Sequence, residues 1–354
     1  MKILIINLKH LGDVILTTPL VAALKAVDPS CSIKFLVDRG MEAAVSGNRM
    51  IDEVMALERK ESAISELRSQ WRLIRWLRRN RFDMVLEAGA GDRGAFLSFF
   101  SGAKMRIGYA PLERKQAFRA KLFTHTVANK SSYKHTVEHH LDLLAPLKLA
   151  SHPHEVLFGY TADDTRQVNV LLQKAFNGPP SPFVVMHPTS RWMFKSWTPQ
   201  GCALVAEYLI KSKGLSVVLT CAPVEKEKAF LESIKEISAV PLIDLGGRLN
   251  LRELGALISQ SLLFLGVDSA PMHIAAALKK PVVALFGPSG EHMWGPWGEG
   301  HLVIKKDWPC RPCGQDGCDG SKISRCLQEI TAEEVISGLE TMLATSPLAR
   351  QQVR

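Results

Sequence analysis

Short apolar runs recur along the chain at 2–6, 33–37, 54–57, 84–87, 183–186, 216–220, 242–245 and 262–267. Each is short and rich in Ile, Leu, Val or Phe, the pattern of a strand buried on both faces. Longer stretches of helical periodicity lie between them, at 13–25, 66–81, 138–149, 199–212, 225–237, 251–259 and 272–278. Strand and helix alternate, which predicts parallel sheets covered by helices. Pro19 is expected to kink the first helix or mark its early turns, and 152–159 reads as extended. In the helix over 66–81, Leu67, Trp71, Ile74 and Leu77 form an apolar stripe. Arg68, Arg72, Arg75 and Arg79 form a second stripe, which fits either a solvated face or a face turned to an anion.

The alternation is interrupted at Asn177-Gly178-Pro179-Pro180-Ser181-Pro182 and then restarts. A chain of 354 residues is too long for one ordinary core. The pattern therefore predicts an α/β protein of two Rossmann-like, doubly wound domains facing across a cleft, residues 1–176 and 177–330. A C-terminal helix within 331–354 is expected to pack back on the first domain.

The stretch LLFLGVDSAPMHIAAALKKPVVALFG, residues 262–287, reads as one strand–turn–helix–strand unit. Open α/β sheets place ligands at such turns. The helix N-terminus directs free N–H groups to the same place, so an anion is expected there. Asp268 would repel a phosphate; it either caps the helix or accepts hydrogen bonds from hydroxyls. Three further strand ends carry polar groups. Gly12-Asp13 follows the first strand, and Asp13 is a general-base candidate or a plain N-cap. Thr189, Ser190, Arg191 and Lys195 follow the first strand of the second domain and suit phosphate oxygens. Glu225 follows the next strand, placed to accept from a ribose or merely to complement the helix dipole. Ser269 and His273 complete the set.

Charge sharpens this picture. The chain carries a net charge of +9, yet 17 Lys/Arg face 6 Asp/Glu between Arg59 and Lys134, a local excess of 11. Such a surface suits a phosphorylated substrate, a membrane surface or nucleic acid. No recognised nucleic-acid module accompanies it, and the arginine row is not interleaved with aromatics at stacking spacing. No apolar run reaches the length of a membrane span, and the first apolar run is too short for a signal peptide, so a cytoplasmic protein is expected. Seven cysteines argue against a secreted disulfide framework. Cys310, Cys313, Cys318 and Cys326 cluster, but only the first pair has normal zinc-ligand spacing. Gly89-Ala90-Gly91-Asp92-Arg93-Gly94 matches the dinucleotide pattern literally. It lacks the downstream acidic residue that a ribose needs, and reads as a permissive turn.

The LGD turn after the first strand, TSRWMFKSW, APVE and GVDSAPMHIAAALKKPVVALFGP together resemble the lipopolysaccharide heptosyltransferases of glycosyltransferase family nine, over nearly the whole chain. The last of these motifs is the most specific. Two departures touch the phosphate contacts: Ser269-Ala270 stands where the family often has Thr-Gly, and the Arg191–Trp197 segment is slightly longer. The resemblance implies a GT-B fold and an inverting, metal-independent transfer from ADP-heptose, which is a substrate and not a cofactor. It implies Asp13 as the catalytic base and Thr189, Ser190 and Lys195 at the donor phosphates. Glu225 would meet the ribose and Leu249 the adenine. Asp268 would hold heptose hydroxyls, with Ser269, Ala270 and His273 nearby. The Cys310–Cys318 segment resembles the members that add a side-branch heptose to the second core heptose.

Three partners are then expected: ADP-heptose, a phosphorylated lipopolysaccharide core facing Arg68, Arg72, Arg75 and Arg79, and the cytoplasmic face of the inner membrane, bound peripherally. Nucleic acid is not expected. The alternatives are transfer of the first or second core heptose, or an NAD-dependent oxidoreductase built on the Gly89 loop.

Overall fold

In a computed structural model that describes residues 1–57, 63–149 and 153–345, the apolar runs assemble into two six-stranded, all-parallel sheets. The chain divides into two units, Met1–Gly159 and Tyr160–Arg354.

The first sheet contains β1 (Lys2–Asn7), β2 (Ser32–Asp38), β3 (Glu53–Leu57), β4 (Met84–Glu87), β5 (Met105–Tyr109) and β6 (His125–Val127), in the order β3-β2-β1-β4-β5-β6. The second contains β7 (Phe183–His187), β8 (Ser216–Leu219), β9 (Ile243–Asp244), β10 (Phe264–Val267), β11 (Val282–Phe286) and β12 (His301–Lys305), in the order β12-β11-β10-β7-β8-β9. Both orders are the doubly wound one, in which the first strand of the unit sits mid-sheet and the connection reverses direction beside it. The crevice for a ligand therefore lies at the carboxyl ends of β1 and β4 in one unit and of β7 and β10 in the other. β1 and β7 are buried almost end to end, as strands covered on both faces must be.

The helices of the first unit are α1 (Leu11–Leu16), α2 (Pro19–Val27), α3 (Ala63–Asn80), α4 (Asp92–Ser101) and α5 (Thr136–Leu141). Those of the second are α6 (Ala162–Ala175), α7 (Pro199–Lys213), α8 (Glu225–Ile237), α9 (Leu251–Gln260), α10 (Ala270–Ala277), α11 (Glu291–Trp294), α12 (Arg325–Gln328) and α13 (Ala332–Thr345). Pro19 divides the expected first helix completely, because it stands at the start of α2. β5 and β6 have no apolar run to announce them, because polar residues interrupt both, and the apolar run of β12 is only three residues, Leu302–Ile304.

Four expectations are revised. The unit boundary precedes α6, whose Thr161/Asp164 capping box starts a helix that the composition had not marked. The described part of the C-terminal segment packs on its own unit: Val335, Leu339 and Met342 join Leu209, Val217 and Val283 in the second core. The end of that segment lies outside the described residues. Trp71 is 68% exposed and leaves the expected apolar stripe; of that stripe Leu77 is buried and Ile74 half-buried, and among the described side chains of α3 Leu73 is buried beside them. Residues 153–159 form no strand.

Candidate active site

The second unit builds its site from loops that leave three adjacent strands. β7 lies between β10 and β8, with Gly266 beside His187 and Leu219 beside Met186. The loop after β7 runs through Thr189 and Ser190 to a short 3-10 turn, Met193–Lys195. Because β10 is the neighbouring strand, the end of this turn meets the start of α10. Lys195 Nζ stands 2.7 Å from Asp268 Oδ2, and both side chains are largely buried. Asp268 is therefore not the helix cap. Ser269 occupies the N-cap position, but its hydroxyl donates to the Val267 carbonyl at 3.1 Å and caps nothing. The N-cap residue makes no side-chain bond to the N-terminus of α10, which leaves that dipole end suited to an anion. His273 is buried one turn further on.

Thr189 is fully buried, and its hydroxyl donates to Glu227 Oε2 at 2.7 Å. The Ala222 N–H donates to the same oxygen at 3.1 Å. Glu227 thus ties the loop after β7 to the loop after β8. It was missed in the sequence, although its place four residues before Leu231 and seven before Ile234, both buried, puts it on the inner face of α8. Glu225 opens the same helix and is exposed. Ser190 Oγ closes a tight turn by donating to the Trp192 carbonyl at 2.8 Å. Leu249 is half-buried in the loop before α9. His187 is buried against Thr220 Oγ1 at 2.9 Å, and burial lowers its imidazole to about 4, so it stays neutral. Lys195 also lines a cavity of about 420 Å³ with Trp192, Phe194, Met293, Trp294 and Cys313.

The first unit presents its own polar cluster at the ends of β1 and β4. Asn7 is fully buried and binds the Asp13 carbonyl at 3.3 Å and Thr17 Oγ1 at 2.7 Å, which fixes the start of α1. Asp13 lies in the first turn of that helix, with no side-chain cap bond made from the N-cap position. Burial raises its carboxyl above the usual range, against the opposing pull of Lys9 and His10. A raised carboxyl is a stronger base at neutral pH. The resemblance implies a base at this position.

Glu87, at the end of β4, was not anticipated. It is 1% exposed, and burial raises its carboxyl to about 7. Oε2 has no hydrogen-bond partner among the described residues, nor does Nη2 of the buried Arg119, whose Nε pairs with Asp92 at 3.4 Å. The glycines of the 89–94 loop serve this carboxyl: a Cβ on Gly94 would come within 2.3 Å of Glu87 Oε1. A carboxyl group therefore fills the turn where a dinucleotide pyrophosphate would need bare N–H groups. Since the folded state holds the Glu87 proton more tightly than the unfolded chain, stability falls as pH rises from the ordinary glutamate value through about 7. Glu87→Gln is expected to remove the Glu87 contribution to this slope and to be the more stable protein above neutrality, by about 3 kcal/mol. Urea unfolding across that pH range checks it; parallel slopes for both proteins would refute it.

Arg72, Arg75 and Arg79 are exposed on α3; the side chain of Arg68 lies outside the described residues. Cys310 is exposed, Cys313 and Cys318 are half-buried, and Cys326 is buried; all are free thiols. Among the described residues no group of three or more His, Cys, Asp or Glu side chains is placed to hold a metal ion.

Comparison with known proteins adds to this geometry. Residues 70–323 match the model of glycosyltransferase family 9 (heptosyltransferase). Lipopolysaccharide heptosyltransferase 3 of Escherichia coli K12 is 31% identical over 338 residues, covering 95% of this chain and 96% of that one. Among solved structures, a family 9 glycosyltransferase from Veillonella parvula superposes with a TM-score of 0.86 at 22% identity, over 98% of both chains. The Escherichia coli ADP-heptose lipopolysaccharide heptosyltransferase II superposes with a TM-score of 0.76 at 22% identity, over 97% of this chain and 99% of that one.

Proposed function

Because the chain belongs to glycosyltransferase family 9, the heptosyltransferases, we propose that it transfers L-glycero-D-manno-heptose from ADP-heptose to the lipopolysaccharide inner core. The transfer makes a side branch on the second core heptose, inverts the anomeric centre and uses no metal. The observation that carries this reading is the Lys195–Asp268 pair at 2.7 Å beside the N-terminus of α10. It sets a cation and a helix dipole for a diphosphate next to a carboxylate for sugar hydroxyls. Asp13 accepts the proton of the acceptor hydroxyl. The oxygen attacks the anomeric carbon opposite ADP in one in-line step, so the configuration inverts. Negative charge grows on the departing diphosphate, and Lys195 and the α10 terminus stabilise it, work that a metal ion does elsewhere. Thr189, held by Glu227, and Ser190 shape the phosphate end of the site. Leu249 and Glu225 meet the nucleoside. Ser269, Ala270 and His273 complete the donor turn.

The protein works in the cytoplasm, peripherally on the inner membrane, where its lipid-linked acceptor is assembled. No helix among the described residues is long and apolar enough to cross a membrane, which suits peripheral contact. Arg68, Arg72, Arg75 and Arg79 face the phosphorylated core. Replacing Arg72 and Arg75 by Glu is expected to raise the acceptor KM about tenfold or more at low salt and to leave ADP affinity unchanged. Equal acceptor kinetics would make the row a merely solvated face.

The test is product analysis with ADP-heptose and purified truncated cores carrying none, one or two heptoses, with and without EDTA. Transfer only to the two-heptose core, undiminished by chelator, is the expected result. Transfer to a shorter core would assign the first or second heptosyl step instead. Loss of activity in EDTA, restored by zinc, would make the cysteine segment a structural metal site. Binding of NAD in place of ADP would favour the oxidoreductase reading, which the Glu87 carboxyl at the Gly89 loop opposes.

A further inference from the structure

The first unit exposes a cluster of aromatic side chains that neither half of the proposed reaction uses. Phe96, Phe99 and Phe100 lie on one face of α4, at i, i+3 and i+4, and are 42%, 43% and 37% exposed. Phe118, 41% exposed, stacks on Phe96 with ring centroids 5.8 Å apart. The patch continues onto α3, where Arg78 Nε donates to the Phe100 carbonyl at 2.6 Å. Arg75 and Trp71 follow Arg78 along the same side of that helix. A soluble surface seldom gathers this many large apolar rings without a partner.

The surroundings of the patch select the partner. Arg106 lies over the Phe99 ring at 5.8 Å, and Arg75, Arg78, Lys104 and Lys121 are exposed near the aromatics. The acidic residue of α4, Asp92, is exposed but engaged by Arg119 at 3.4 Å. Aromatic and basic residues mixed on one face match the boundary of an anionic bilayer, where rings enter the headgroup region and cations stay at the phosphates. Stacking on nucleic-acid bases needs open ring faces. Here Phe96 and Phe118 cover each other and Arg106 covers Phe99, so the cluster is built for insertion and not for base stacking.

We propose that Phe96, Phe99, Phe100 and Phe118, with Trp71 and the surrounding Arg and Lys residues, form an interfacial docking surface for anionic phospholipid. It holds the enzyme at the bilayer that carries its acceptor, and in that respect rests on the lipid-linked acceptor proposed above. The arginine row on α3 then has two duties: Arg75 borders the bilayer patch, whereas Arg72 and Arg79 lie around the helix from it.

Flotation of the full chain with vesicles tests this without acceptor or donor. One vesicle set is phosphatidylcholine alone; the other is phosphatidylcholine mixed equally with phosphatidylglycerol. The wild type is expected to float with the mixed vesicles, to stay in solution with the neutral ones, and to dissociate as salt rises. Phe96→Ser/Phe99→Ser/Phe100→Ser should lower partitioning by roughly tenfold or more, and Trp71→Ser, a change on an exposed helix face, should lower it several-fold. Both variants should keep wild-type transfer to a soluble, delipidated core. A wild type that ignores mixed vesicles, or variants that float as well as it does, would overturn the proposal. So would a lipid-free dimer that the Phe variant dissociates, which would assign the face to a second copy, or RNA retention on a filter that the Phe variant abolishes. Failure of transfer to the delipidated core with intact flotation would instead count against the proposed reaction and leave the docking surface standing.

Discussion

Asp13→Asn is expected to lower kcat by about 10²–10⁴-fold while ADP and donor affinity stay within a few-fold of wild type. The substitution keeps the size of the side chain and its bonds in the first turn of α1 but removes the base. The buried Asn7, bound to the Asp13 carbonyl and to Thr17, holds that turn in place whatever the side chain at position 13. Burial raises the Asp13 carboxyl, while Lys9 and His10 pull the other way. The acidic limb of the kcat profile should therefore lie above the pH of an ordinary exposed aspartate and vanish in Asp13→Asn. Single-turnover kinetics with a truncated core measures this at the chemical step. Asp13→Ala enzyme within a few-fold of wild type in that measurement would return Asp13 to the role of a helix-start residue.

Lys195 and Asp268 are expected to fail in different ways although they form one ion pair. Lys195→Ala removes the cation from the diphosphate and leaves the Asp268 carboxylate uncompensated beside it. ADP affinity should drop by roughly 10–100-fold, the worth of a charge-assisted hydrogen bond. Asp268→Ala frees Lys195 for the phosphates, so ADP affinity should hold. The loss, again on the order of 10–100-fold, should appear in kcat/KM for the donor sugar. Calorimetry with ADP, set beside steady-state kinetics with ADP-heptose, separates the two patterns. Equal ADP affinity for wild type and Lys195→Ala would mean that the pair only braces the loop after β7 against α10.

Several of these residues were legible before the fold was known, and others were not. The turn at Asp268 and the LGD turn at Asp13 announce themselves because a strand, a polar turn and a helix start follow one another locally. Glu227 and Glu225 occupy one helical turn and look alike in composition. Which of them is buried depends on how α8 is rolled onto its sheet, and Leu231 and Ile234 fix that roll. Trp71 was misplaced for the same reason: a helix rich in large side chains offers more than one set of neighbours for Leu77, and packing put Leu73, not Trp71, beside it in the first core. Glu87 reads as the polar end of an apolar run. Only the surrounding sheet and the bare glycines of the next loop make it a buried acid.

The sequence by itself determined the parallel α/β class, two successive βα runs, the strand-end positions of the polar residues and the basic bias of the first half. These follow from periodicity, turn chemistry and charge, which act over a few residues at a time. The tertiary structure decided which strand ends are neighbours. β7 lies between β8 and β10, and this order alone brings Lys195 to Asp268 and Thr189 to Glu227. It likewise decided which rings of α3 and α4 stay in water. Strand order and helix roll are settled by burying the whole apolar surface at once, and no local stretch of sequence carries that information.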